Sequence, residues 1–253
     1  MAYWRWTATC FLRTTLVDST PLNPAKALQI MRDTSFSEAA REPQTGLFFR
    51  KGSRTSAPKG RLLLLHGVGS NEANLASLAA SLPEELEVIL LRGPLQVGPQ
   101  GFAWYQVNFT SNGPSFNQEQ AESSRQLLQR FIEAQPKLPT VIAGFSQGGI
   151  MSASLGVTEP ELVAGFAILS GRMLRELDPR IASADRLKSV SAFIAHGHQD
   201  NVLPVDWAKE ADAWLDRIGV VHETHFYDMA HEIVAEELAD FSQWLTNTLS
   251  LSK

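Results

Sequence analysis

One cysteine, Cys10, stands among 253 residues. No internal disulfide and no thiolate metal cluster can form from it, which fits a reducing compartment. Basic runs are also missing: 22 Lys and Arg are scattered against 27 Asp and Glu, for a formal net charge of -5. Nucleic-acid binders usually carry a basic patch, so this balance argues against a polyanion partner. Nor does any apolar stretch approach the roughly 20 residues that span a bilayer, so no stable membrane insertion is expected. There is no internal repeat and no low-complexity tract. What remains is ordinary globular composition, 44% hydrophobic and 19% charged, enough to bury a sizeable core.

The opening "MAYWRWTATCFLRTTLV" has two arginines and no acid, a faint targeting signature, but it lacks a compact apolar segment with a cleavage site. Charges of both signs follow up to Glu42. Residues 1–45 are read as an N-terminal extension, poorly ordered unless they act as a transit segment, and 46–253 as one domain. The expected location is cytoplasmic, or organellar if the extension targets.

From about Thr45 onward, strand-length apolar runs alternate with helical patterns. The runs are Leu62–Leu65, Val88–Leu91, Thr140–Ala143, Phe166–Leu169 and Ala192–Ala195, each followed within a residue or two by glycine. Unbroken runs suit strands buried on both faces of a parallel sheet. Helical spacing is read over Asn71–Leu82, Gln118–Ala134, Gln147–Val157, Trp207–Ile218 and Glu232–Leu249. His222–Asp228 alternates and reads as a strand near the sheet edge. The expected class is α/β, a doubly wound, mostly parallel sheet with helices on both faces. Two connections, Arg92–Asn117 and Arg172–Ser189, are long enough to suggest a functional role, and both fall where strand carboxyl ends would shape a site.

"TVIAGFSQGGI" (140–150) places Ser146 between Gly144 and Gly148 at a strand-to-helix junction. A serine hydroxyl is a weak nucleophile unless a base lies within hydrogen-bond reach and a third group orients that base. The glycines allow a sharp turn that projects the hydroxyl, and the helix start offers unpaired N–H groups to an oxyanion. Two later residues complete the set. Asp200 follows the strand "AFIAHG", and His231, in "FYDMAHEI", precedes the last helix. Ser, Asp, His is the chain order of an α/β-hydrolase triad. In "LLLLHGVGSN" the loop offers the Val68 N–H as one oxyanion donor. Its partner is the backbone N–H of Gln147, whose side-chain amide is given no role.

Gly67-x-Gly69 after a strand resembles a dinucleotide loop, but Glu72 replaces the third glycine and Arg92, not an acid, ends the next strand. His66 reads as structural, holding its loop by a hydrogen bond. His196 and His198 near Asp200 suggest a metal, yet strand alternation sends neighbours to different faces, so no metal site is expected. Asp206 and Asp228 remain rivals for the acid. Ser170 reads as a turn residue or a substrate contact.

Taken in order, "LLLLHGVGSN", "RGP…GFAWYQV", "AGFSQGG", "HGHQDNVLP" and "MAHEI" resemble the carboxylesterase/phospholipase family of α/β-hydrolases, which includes acyl-protein thioesterases and bacterial serine esterases. The resemblance runs from about Arg61 to Leu249. It implies Ser146, Asp200 and His231 as nucleophile, acid and base, and backbone donors at Val68 and Gln147. It also implies Trp104 near the acyl site. The expected activity is hydrolysis of carboxylic esters of short to medium acyl chains, with thioester or lysophospholipid cleavage as the alternative and a non-catalytic binding module behind both. No cofactor is implied. The expected partner is a small-molecule acyl ester, met by a monomer or homodimer. Ser70 departs from the Asp common in the thioesterases, and residues 1–45 have no counterpart.

Overall fold

The five apolar runs become parallel strands because each can bury both faces at once. A computed structural model describes residues 36–110 and 113–251. Among the described residues twelve strands are formed: β1 (Ala40–Arg41), β2 (Phe48–Ser53), β3 (Gly60–Leu65), β4 (Leu86–Leu91), β5 (Leu95–Gln96), β6 (Phe102–Ala103), β7 (Val107–Thr110), β8 (Gly113–Phe116), β9 (Thr140–Phe145), β10 (Gly165–Leu169), β11 (Ser191–Gly197) and β12 (Val221–Tyr227). The central sheet has the order β1-β2-β4-β3-β9-β10-β11-β12, parallel from β4 to β12 with antiparallel β1 and β2 at one edge. Strand β12 is the other edge, as the sequence predicts.

Alternation along the strands builds two cores. Leu63, Leu65, Ile89, Ile142, Ile168 and Ile194 face one layer, while Leu62, Leu64, Val88, Val141, Ala167 and Phe193 face the other. Helices α1 (Gln118–Glu133), α2 (Gln147–Thr158) and α4 (Asp206–Ile218) cover the first face with Phe131, Met151 and Leu215. Helix α5 (Ala235–Thr248) covers the second with Phe241 and Leu245. Burying one such side chain contributes about 1.5–3 kcal/mol, so this alternation carries the fold. Helix α3 (Ala184–Leu187) is a single turn in the Arg172–Ser189 connection.

Three expectations change. The segment predicted as a helix over Asn71–Leu82 is a run of 3₁₀ turns, Glu72–Ser81, capped by the Asn71 side chain. Its buried residues Glu72, Leu75 and Leu78 recur every third position, the period of a 3₁₀ helix, where i and i+3 eclipse. The Arg92–Asn117 connection holds two small hairpins, β5–β6 and β7–β8. The domain boundary read at 45/46 falls too late. Ala40 and Arg41 pair with Phe49 and Phe48, and Phe36 packs on the second core. The targeting reading of residues 1–35 lies outside the described residues.

At Gly144 and Gly148 the sheet and α2 meet with no room for a side chain. A Cβ on Gly148 would overlap the Leu65 carbonyl, and one on Gly144 would overlap the Gly148 backbone. Gly148→Ala is therefore expected to cost on the order of 3 kcal/mol in urea unfolding. Gly219→Ala, where φ is 76° but nothing lies within 4 Å, should cost only about 1 kcal/mol. Equal losses at the two positions would contradict this packing.

Candidate active site

At the carboxyl end of β9 the backbone is forced out of its usual range. Ser146 has φ 54° and ψ -116°, a conformation that side-chain-bearing residues rarely adopt. Its N–H donates to Leu169 O at 2.8 Å, anchoring the turn to β10, and Ile150 N–H donates back to Ser146 O at 3.1 Å. The side chain stays 7% exposed. Gln147 opens α2, where the first N–H groups have no intrahelical acceptor.

Asp200 and His231 come together as the strand order requires. His231 Nδ1 lies 2.7 Å from Asp200 Oδ2. A carboxylate only accepts, so Nδ1 carries the proton and the neutral ring presents its Nε2 lone pair as a base. Asp200 Oδ1 accepts two backbone N–H bonds, from Val202 and Leu203, both at 2.8 Å. Burial alone would raise the Asp200 pKa. Hydrogen bonds from His196, His231 and Leu203 N–H outweigh it and hold the carboxyl well below the usual carboxylate range. The carboxylate is thus ionised wherever the imidazole needs it. Among the described residues Ser146 Oγ makes no hydrogen bond, a looseness common at catalytic serines without substrate. The His231 ring packs on Phe145, centroids 4.8 Å apart.

The rival acids lie elsewhere. Asp206 pairs with Lys209 at 2.9 Å, and Asp228 accepts from Gln199. His196, read as an accidental neighbour, is completely buried, with Nε2 2.7 Å from Leu203 O and 3.3 Å from Asp200 Oδ2. The carbonyl only accepts, so His196 Nε2–H donates toward both oxygens and helps fix the carboxylate. The chain turns back after Gly197, bringing Asp200 beneath a strand residue four positions earlier. His198 instead stacks on Phe226.

The loop after β3 is pinned from several sides. Gly69 N–H donates to Phe102 O at 2.8 Å, and Phe102 N–H to Ser70 O at 2.7 Å. His66 Nε2 accepts the Gly93 N–H at 2.9 Å while Nδ1 faces Gly67 O at 2.8 Å, which fixes the tautomer. Burial pushes the His66 pKa down to about 4, so the ring stays neutral. Val68, between these anchors, is exposed, and its N–H has no backbone or side-chain acceptor among the described residues. Glu72 and Arg92, the residues that spoke against a dinucleotide loop, pair with each other at 2.5 Å.

Two expectations are corrected here. Trp104, expected beside the acyl group, is fully buried and donates its indole N–H to His66 O at 2.9 Å. It offers a ligand no surface and instead holds the Val68 loop. The Gln147 amide is fully engaged: Oε1 accepts the Trp104 N–H and Nε2 donates to Tyr105 O, both at 2.8 Å. Gln147 therefore fastens the helix start to the segment that pins the loop. Ser170 is completely buried with φ 49°, its hydroxyl without a partner, so it serves the turn and not a substrate. Among the described residues, one group could hold a metal, Asp212, Asp216 and His222, with ligand atoms within 4.8 Å of one another. It lies at the opening of β12, the end of the sheet away from Ser146. Among the described residues no helix is long and apolar enough to cross a membrane.

The chain is similar in sequence and fold to known proteins. The family profile described as phospholipase/carboxylesterase matches residues 52–249. Acyl-protein thioesterase 1 of Kluyveromyces lactis is 25% identical over 223 residues, spanning 80% of this chain and 97% of that protein. The fold is shared with the crystal structures of Zea mays acyl-protein thioesterase 2 (TM-score 0.69, 21% identity, 79% of this chain and 98% of that one). It is shared equally with a carboxylesterase from Mesorhizobium loti (TM-score 0.70, 20% identity, 83% and 99%).

The His66 tautomer network has a pH signature. Its pKa falls from about 6.5 in the unfolded chain to about 4 in the fold. The stabilisation is complete above pH 6.5 and is lost as pH drops through 4, because only the unfolded chain takes up the proton readily. Urea unfolding across pH 4–7 should show this decline, and His66→Gln should flatten it. An unchanged slope in the variant would contradict a neutral, buried His66.

Proposed function

The chain belongs to the phospholipase/carboxylesterase family, and on that premise we propose that it is a serine hydrolase cleaving carboxylic esters of short to medium acyl chains. The observation carrying this reading is the 2.7 Å bond from His231 Nδ1 to an ionised Asp200, set at the same sheet edge as the strained Ser146 turn. Ser146 Oγ attacks the acyl carbonyl as His231 Nε2 accepts its proton. The Val68 and Gln147 N–H groups receive the oxyanion. His231 then returns the proton to the leaving alcohol, giving an acyl-enzyme and free alcohol. Water, deprotonated by the same imidazole, releases the acid. Asp200 stabilises the imidazolium without itself taking the proton. The steps need only side chains, backbone N–H groups and water, so no cofactor enters the scheme.

A thioester offers the same carbonyl to the same nucleophile. The likeness to acyl-protein thioesterase 1 makes thioester cleavage the second reading. The enzyme is proposed to act as a monomer or homodimer on a small acyl substrate, in the cytoplasm.

A fluorophosphonate probe should label the protein once per chain, and Ser146→Ala should abolish both labelling and turnover, the latter by on the order of 10⁴-fold or more. Labelling that survives the substitution would refute the assignment of the nucleophile. Matched oxygen esters, thioesters and lysophospholipids, ranked by kcat/KM, separate the two readings.

A further inference from the structure

Two long connections flank the serine, and both converge on a single cation. Arg172 follows Gly171, which packs so closely on the nucleophile turn that an added Cβ would stand 3.1 Å from Ser146 O. The Arg172 guanidinium lies 4.4 Å from the centre of the Trp207 ring and 5.8 Å from that of Phe116. Trp207 comes from the segment that follows Asp200, and Phe116 ends the Arg92–Asn117 connection. A cavity of about 450 Å³ borders this cation, with Arg172, Arg175, Asp178, Trp207, Glu210 and Arg217 in its wall.

Every neighbouring arginine is already neutralised. Arg175 pairs with Glu210 at 3.1 Å, Arg217 with Asp178 at 3.9 Å and Arg180 with Glu122 at 2.6 Å. Arg172 is half-buried and has no hydrogen bond or ion pair among the described residues, only the two rings. Rings lie against the faces of a guanidinium, whereas its five N–H donors radiate from the edge in the plane. Stacking therefore leaves the donors free and already oriented. A partly desolvated cation with no counter-charge is costly, and an anion arriving in the cavity would offset that cost. A neutral chain would gain only apolar contact from the same wall.

We propose that Arg172 is a specificity-determining residue that recognises an anionic group carried by the ester. The group is a carboxylate on the acyl arm or a phosphate on the alcohol arm, since either matches the planar donor fork. This inference rests on Ser146 being the nucleophile.

Two substrate pairs test it. For the acyl arm, 4-nitrophenyl hemiglutarate is compared with its neutral methyl ester; for the alcohol arm, acetylated glycerol 3-phosphate is compared with acetylglycerol. The wild type should favour the charged member of one pair by about tenfold or more in kcat/KM, mainly through KM. Arg172→Gln should bring that ratio close to one, and Arg172→Lys, which keeps the charge but not the fork, should fall between. The pair that responds identifies the arm. A wild-type ratio near one in both pairs would overturn the proposal. So would a ratio unchanged in Arg172→Gln, including a parallel loss on both members, the pattern of a purely packing role. If the wild type cleaves no ester at all, the hydrolase reading fails instead. A change in Trp207 fluorescence on adding glutarate or glycerol 3-phosphate, measured against Trp207→Phe, then reads the anion site alone. A change with either anion in the wild type that is lost in Arg172→Gln sustains it; no change with both, or a change retained in the variant, overturns it.

Discussion

Everything at this site depends on how closely the start of α2 approaches the carboxyl ends of β3 and β9. Gly148 sits against the Leu65 and His66 carbonyls, and Gly144 against Gly148 itself, at separations where no Cβ fits. That approach forces the turn residue, Ser146, into its φ of 54°. It also brings the first N–H groups of the helix beside the loop that carries Val68. Strain at one residue is sustained because a sheet buried on both faces holds the surrounding backbone in place.

A second layer of contacts keeps this junction from relaxing. The Gln147 amide ties α2 to the backbone of Trp104 and Tyr105, and the Trp104 indole in turn ties to His66 O. His66, kept neutral by burial, bridges Gly67 O and Gly93 N–H. Helix start, hairpin segment and β3 loop are thus joined by a chain of hydrogen bonds. On the opposite side, Asp200 is held by four donors: two backbone N–H groups and the rings of His196 and His231. The acid cannot rotate without breaking several bonds at once, which is how a carboxylate fixes an imidazole.

Much of this was legible in the chain because five of the parallel strands are continuous apolar runs ended by glycine; Ser146 and Asp200 each follow such a run, and His231 follows the alternating strand β12. Strand β2 was not, since Phe48-Phe49-Arg50-Lys51 neither alternates nor forms an apolar run. The two-residue strands of the β5–β6 hairpin are too short to leave a period. The Glu72–Ser81 segment carries apolar spacing that suits either helix type, so its tighter 3₁₀ form was not legible in the sequence. His196 was visible but misjudged: the rule that strand neighbours diverge holds within β11 and fails once the chain reverses after Gly197. The Gln147–Trp104 bond joins residues 43 positions apart, and no local pattern announces such a contact.

The proposed hydrolysis passes through covalent chemistry at one hydroxyl. Rapid-quench mass spectrometry during turnover of 4-nitrophenyl butyrate measures this directly. The expected result is a butyryl adduct confined to the peptide containing Ser146, formed no more slowly than steady-state turnover. Turnover without an adduct, or an adduct on any other residue, would contradict it.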